Sequence, residues 1–162
     1  MTHFPGPRGS TTTQFVVGAV GEKDQEVLRL VARLEGHRLL HHAHFSAFQP
    51  VAGTPFEDRA PTPAAREARL YQAEHLLREY GFRVEELAFE TGGNLPLEHD
   101  PKTAWALAHP ERFPLEVMGA PLEMLLRVPG VGPRAARTLV QIRRHTLLRD
   151  GRDLRRLGVD AV

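Results

Sequence analysis

Between Val128 and Arg137 the chain reads V-P-G-V-G-P-R-A-A-R, two glycines one residue apart, boxed by prolines and followed by two arginines. Glycine permits positive φ and the close approach of another backbone. A helix that starts after such a turn offers unpaired amides at its N-terminus, and those amides with the helix dipole favour an anion. Arg134, Arg137, Gln141 and Arg144 recur at three- and four-residue steps and therefore share one helix face. Ala135, Ala136, Leu139 and Val140 are left to pack inward. The chemistry this suggests is phosphate capture by backbone amides beside a mostly cationic strip; the plain alternative is a turn joining two helices.

The charge distribution supports a polyanion at this end. From Arg127 to Arg156 nine arginines face only Asp150 and Asp153, a local charge of +7 in a chain whose total is +1, so the remainder carries −6. Arginine dominates throughout, with Lys23 and Lys102 as the only lysines, but that bias does not explain the clustering. Cysteine is absent, which removes disulfides, thiolate nucleophiles and cysteine-ligated metal or iron–sulfur centres. No apolar run approaches the length that crosses a bilayer, and M-T-H-F-P-G-P-R-G-S-T-T-T lacks the apolar core of a signal peptide. The expectation is a cytoplasmic protein without a membrane partner.

The elements that must position these residues follow from pattern. Residues 1–12 form a flexible lead-in. Gln14 to Gly18 reads as a strand, followed by a glycine-rich turn and a helix capped by Asp24, with Val27, Leu28, Val31 and Leu34 on one face and Gly36 as its stop. Ala43 to Phe48 reads as a second strand, residues 49–63 as a proline-rich loop, and Ala64 to Tyr80 as a helix striped by Leu70, Ala73, Leu77 and Tyr80. Two strand–helix units in succession imply neighbouring parallel strands, with a third strand around Arg83 to Phe89 or a partner chain to cover an edge. Residues 91–100 are a polar, glycine-bearing linker. Beyond it come a helix over Pro101–His109 capped by Asp100, a helix from about Ala120 to Arg127, the glycine turn, a helix from Arg134 to about Thr146, and a short helical turn over Asp153–Gly158. The expected fold class is an α/β unit of two or three strands with helices over 13–90, followed by an all-α domain over 101–162.

The stretch L-L-R-V-P-G-V-G-P-R-A-A-R-T-L-V resembles the helix-hairpin-helix motif of DNA-binding and repair proteins, with the motif at 120–146 and the likeness continuing to about Val159. In that family the turn amides and the first turn of the next helix hold one strand's phosphates without reading bases. The resemblance implies contacts from Gly130, Val131, Gly132, Arg134, Ala135 and Arg137, beside which the face places Gln141 and Arg144. Glycosylases with this hairpin carry a catalytic Asp about 20 residues beyond the second glycine, in a V-D-T-H-like context. Here that region reads R-D-G-R-D-L-R-R, and Arg134 stands where bifunctional members place a lysine, so a glycosylase is not expected.

The front half carries a second resemblance. F-V-V-G-A-V-G-E and F-S-A-F-Q-P-V-A-G-T-P, in order with L-Y-Q-A-E-H-L-L-R-E-Y-G-F and N-L-P-L-E-H-D-P-K-T-A-W-A-L-A-H-P-E-R-F-P, resemble the C-terminal portion of DNA modification/repair radical S-adenosylmethionine proteins. That likeness implies that the α/β unit over 13–90 is a partial barrel-like unit, and it places Gly18, Gly21 and Glu22 near the adenosyl part of the family's cofactor. The same residues also make a strand-to-helix turn with a first-turn carboxylate, and this simpler role is preferred. The family's C-x-x-x-C-x-x-C cluster motif is missing, and with it the electron source for radical chemistry. The chain is expected to use no cofactor and to perform no catalysis in isolation. It reads as a remnant retaining DNA affinity, a subunit completed by a cysteine-bearing protein partner, or a truncated frame; a pure protein–protein interaction module is the further alternative.

Three other groups carry possible chemistry. His37, His41, His42 and His44 cluster, and on a strand His42 and His44 point to one face, which could begin a zinc or nickel site; without a third ligand nearby they read as surface histidines. Glu85, Glu86 and Glu90 read as a solvated acidic face. Trp105, near His109 and Phe113, reads as packing for the helical domain.

Overall fold

The computed structural model describes residues 11–145 and Asp153. It has a mixed α/β architecture, a small parallel sheet accompanied by several helices. Two compact units divide the chain: Met1–Glu74 with Phe89–Glu98, and His75–Ala88 with His99–Val162.

In the first unit β1 (Thr12–Val17) pairs in parallel with β2 (His42–Ala47), with Phe15 opposite Phe45. A parallel return needs a crossover, supplied here by α1 (Asp24–Gly36). Alternation sorts the sheet's two faces. Val17, Ala43 and Phe45 are buried, and the Phe45 ring meets Tyr71 of α2 (Ala64–Tyr80) edge-on at 5.1 Å. Thr12, Gln14, Val16 and His44 on the opposite face are exposed.

Side chains of α2 close the outer edge of β2. The Tyr71 hydroxyl accepts from Phe45 N–H and donates to Phe45 C=O, and Glu67 accepts from Ala47 N–H. On β1, Val17 C=O accepts from Phe48 N–H, so the alternate groups of Gln14 and Val16 face away from β2, and no described residue bonds them.

Asp24 is not a helix cap. Lys23 occupies that position, and its N–H donates to Glu26 Oε2 at 3.1 Å. Asp24 is fully buried, accepting from Arg66 Nε at 2.7 Å and from Leu95 N–H at 2.9 Å, while Asn94 Oδ1 accepts its amide at 3.2 Å. A buried carboxylate needs such partners, and they draw residues 94–95 onto the start of α1.

In the second unit the third strand anticipated near Arg83–Phe89 does not form. Val84–Glu86 is instead a single 3-10 turn, whose entry is closed by Arg83 N–H donating to Glu86 Oε2 at 2.9 Å. Val84 and Leu87 are buried three residues apart, a helical rather than a strand spacing. Asp100 caps α3 (Pro101–Ala108) by accepting from the amides of Lys102 and Thr103, with proline at the first helical position. Trp105 packs within this unit, stacked on His109 at 4.3 Å and edge-on to Phe82 and Phe113.

Two shorter helices than anticipated follow, α4 (Leu122–Leu125) and α5 (Pro133–Ile142). Ala120, Leu125, Val131, Ala135, Ala136 and Leu139 form their shared core, flanked by Leu115, Val117, Leu126, Val128 and Val140. Leu125 and Leu139 are each 1% exposed. Burial of a leucine contributes about 1.5–3 kcal/mol, which is what holds such short helices together.

Candidate nucleic-acid interface

The turn between α4 and α5 is built by its own residues. Gly130 has φ +79°, in the left-handed region, and Val131 N–H donates to Val128 C=O at 3.1 Å. Gly132, extended at φ −85°, is the N-cap of α5, and Pro133 takes the first helical position. Ala136 N–H makes the first bond back into the turn, to Gly132 C=O at 2.9 Å. The amides of Arg134 and Ala135 therefore precede the intrahelical ladder and form its anion-attracting end.

Along α5 the amphipathic division is sharp. Arg134, Arg137 and Gln141 are exposed, whereas Ala135, Ala136 and Leu139 are buried; Arg144, expected on the same helix face, is exposed in the turn after α5 ends at Ile142. Val131 is 3% exposed with its amide bonded internally, so it positions the turn without offering a group to a ligand. Ala135 likewise offers only its amide.

Not every arginine of the basic segment faces outward. Arg127 is buried: its guanidinium donates to the carbonyls of Tyr80 and Gly81 at 3.2 Å each and of Glu123 at 3.3 Å, and to Glu86 Oε1 at 2.7 Å. It also lies 4.0 Å from the Phe82 ring centroid. Arg143 Nη1 donates to Val117 C=O at 2.8 Å and Ala120 C=O at 2.6 Å. These two hold the unit together, which leaves Arg134, Arg137 and Arg144 as its exposed arginines between 127 and 144. Arg149, Arg152, Arg155, Arg156 and the helical turn anticipated over 153–158 lie outside the described residues, apart from Asp153.

Beneath the turn sits a residue that sequence reasoning passed over. Lys102 of α3 is 7% exposed; its Nζ donates to Val131 C=O at 2.5 Å and lies 4.6 Å from the Tyr80 ring centroid. Burial pulls its pKa from the ordinary lysine value down to about 8, with Asp100 opposing and Arg127 adding to the effect. Nothing in the spacing marks Lys102 or Arg127 as supports of the turn, because several of their partners are 29 to 47 residues away.

Glu86 is part of the same scaffold. Burial works against its charge, but hydrogen bonds from Arg127 and Arg83 prevail and hold its carboxyl below the usual range. Glu90, read from the sequence as a neighbouring acid of the same face, is exposed.

In the first unit, Gly18, Gly21 and Glu22 form a self-contained turn. Gly18 and Gly21 have φ of +95° and +80°, and the Glu22 carboxylate accepts from the amides of Gly18 and Val20. Burial opposes ionisation of Glu22, but those bonds and Arg66 lower its pKa. A cleft of about 350 Å³ lies beside this turn, lined in part by Gly18, Asp24, Thr62, Arg66, Asn94 and Leu95. Of its charged lining residues, Asp24 and Arg66 are bonded to one another, and Glu90 is exposed.

His42 and His44 do share one sheet face, while His37 and His41 are exposed outside the strands. Among the described residues no group of three or more His, Cys, Asp or Glu side chains could hold a metal ion. No helix among them is long and apolar enough to cross a membrane. Comparison with protein-family models, with curated proteins and with solved structures returns no match for this chain.

Proposed function

We propose that the chain binds DNA through its phosphate backbone, without sequence preference and without catalysis of its own, using a helix-hairpin-helix module in its all-α part. The observation that carries this is α5, with Arg134, Arg137 and Gln141 exposed along it, Arg144 exposed in the turn that follows, and the unladdered amides of Arg134 and Ala135 at its start. Three exposed cations and two amides along this segment suit a row of phosphates, while no side chain there is placed as a catalytic acid, base or nucleophile. Contacts of this kind fix a protein on a duplex and carry no base information. A role in DNA repair or modification follows from the resemblances of the hairpin and of the front half.

The test is a fluorescence-anisotropy titration of labelled duplexes of unrelated sequence, and of single strands, over a series of salt concentrations. Equal affinity for different duplexes, falling steeply with salt, is expected. An Arg134→Gln/Arg137→Gln variant that folds normally and binds as well as the parent would remove the site. No binding even at low salt would favour an interaction module instead.

A second reading has one observation in its favour. The outward groups of Gln14 and Val16 on β1 are unbonded among the described residues, in a parallel sheet of two strands. Parallel sheets are ordinarily larger and covered. This suits a partial barrel-like unit that a cysteine-bearing partner completes, as the subunit of a radical S-adenosylmethionine type of DNA-modifying enzyme. Co-purification with an iron–sulfur protein would support that reading.

A further inference from the structure

The open face of the β1–β2 sheet carries two imidazoles that nothing above employs. His42 and His44 stand two residues apart on β2, in register with Thr12 and Gln14 of β1. Their rings lie 4.9 Å apart between centroids at an interplanar angle of 83°. His44 is exposed and His42 half-buried, so solvent reaches the pair. Among the described residues neither ring has a hydrogen-bond partner, in contrast to His109, whose Nδ1 is held 2.8 Å from Trp105 C=O.

That separation is compatible with a shared ion. A metal–imidazole bond of about 2.0–2.1 Å puts each ring centroid about 3.2 Å from the ion, and two rings subtending about 100° at it are then about 4.9 Å apart. A strand supports this arrangement because alternate side chains project to one face, and a short β-bridge fixes their spacing without help from a loop. Neutral imidazole is a ligand for borderline transition ions and a poor one for magnesium or calcium, which prefer oxygen.

We propose that His42 and His44 chelate one divalent transition-metal ion of the copper, nickel and zinc class on the open sheet face, with water filling the remaining positions. The site is independent of the α5 surface and does not rest on DNA binding. Two protein ligands make it an open site, one that can exchange its waters for a further donor.

The test is calorimetric titration of the full chain with Cu²⁺, Ni²⁺, Zn²⁺ and Mg²⁺ chlorides separately, paired with NMR of the histidine ring protons during the zinc titration. One ion per chain is expected, tightest for copper, weaker for nickel and zinc, undetectable for magnesium. His42→Asn and His44→Asn should each weaken binding by at least about tenfold, since losing one arm of a chelate forfeits its effective concentration. His37→Asn and His41→Asn should leave it unchanged. In the unmodified chain the rings of His42 and His44 should shift first and together, a readout that needs no variant to fold. Equal weakening by the His37 or His41 variants, no binding of any of the three transition ions, or ring shifts centred on other histidines would overturn the proposal.

Discussion

The ammonium of Lys102 donates to the carbonyl oxygen of Val131 at 2.5 Å, so the floor of the glycine turn is a buried cation. This ties the stability of the unit to pH. The folded pKa of about 8 lies below the ordinary 10.5, so between those values the unfolded chain holds a proton that the folded one releases. Stability should therefore rise as pH increases from 8 toward 10.5, by an amount on the order of 3 kcal/mol. Urea unfolding across this range, compared with Lys102→Met, isolates the effect. Tyr80, whose pKa burial raises, costs stability only at the alkaline end, above its ordinary value of 10.0, so the comparison is read below that pH. A parallel pH profile for the variant would show that Lys102 does not titrate in this window.

The α5 face should govern salt dependence. Three exposed arginines meeting three phosphates give a slope of log K against log salt of about −2.7, and each Arg→Gln change at 134, 137 or 144 should reduce its magnitude by about 1. Arg143→Gln, which removes bonds to Val117 and Ala120, should lower thermal stability instead. Anisotropy titrations and thermal melts on the same four variants separate the two classes.

The two glycines of the turn should respond differently to alanine. Gly130 at φ +79° puts an alanine in the left-handed region, at a cost of about 1–2 kcal/mol. At Gly132 the backbone is extended and an added methyl would meet only Tyr80 Oη at 3.8 Å, an ordinary contact, so stability should change by less than about 0.5 kcal/mol. Chemical denaturation of both variants checks this.

A similar contrast holds in the first unit. Gly18→Ala meets both a φ of +95° and direct overlap with the buried Thr62 Oγ1, whereas Gly21→Ala at φ +80° meets nothing within 4 Å. The Gly18 variant should lose at least about 2 kcal/mol and the Gly21 variant about 1. Equal losses would mean that Thr62 moves aside freely.

Arg127→Met should be among the most damaging substitutions, at about 3–5 kcal/mol, because it strands the Glu86 carboxylate and the carbonyls of Tyr80 and Gly81. The Glu86 contribution has a definite sign. Its folded pKa lies below the ordinary 4.5, so the stability it gives is present above that value and is lost as pH falls through the lower folded pKa. Arg127→Met should flatten that part of the acid unfolding curve.

The pattern of apolar residues was enough to place α2 at Ala64–Tyr80 and the two parallel strands to within two residues, because period and end signals are local. The same holds for Arg134, Arg137 and Gln141 on the exposed side of α5 and for the Asp100 cap, though α5 ends at Ile142, before Arg144. Asp24 looks like a cap because it is an acid before an apolar stripe, while its actual partners, Arg66 and Leu95, are 42 and 71 residues away. Residues 83–89 alternate enough to suggest a strand, but Glu86 turns back on the Arg83 amide and closes a 3-10 turn. The basic segment was legible as charge and not as role: Arg127 and Arg143 are chemically indistinguishable from Arg134 until their carbonyl partners are known.

The sealing of β2 by Tyr71 and Glu67 makes the sheet one-sided. An open strand edge usually threatens unlimited stacking, since each added chain exposes the next edge. Here a second copy could add only at β1, and its own β2 would again be closed by its own α2. Edge-to-edge association of this chain would stop at two copies related by a twofold axis, and could not propagate into a fibre by this route.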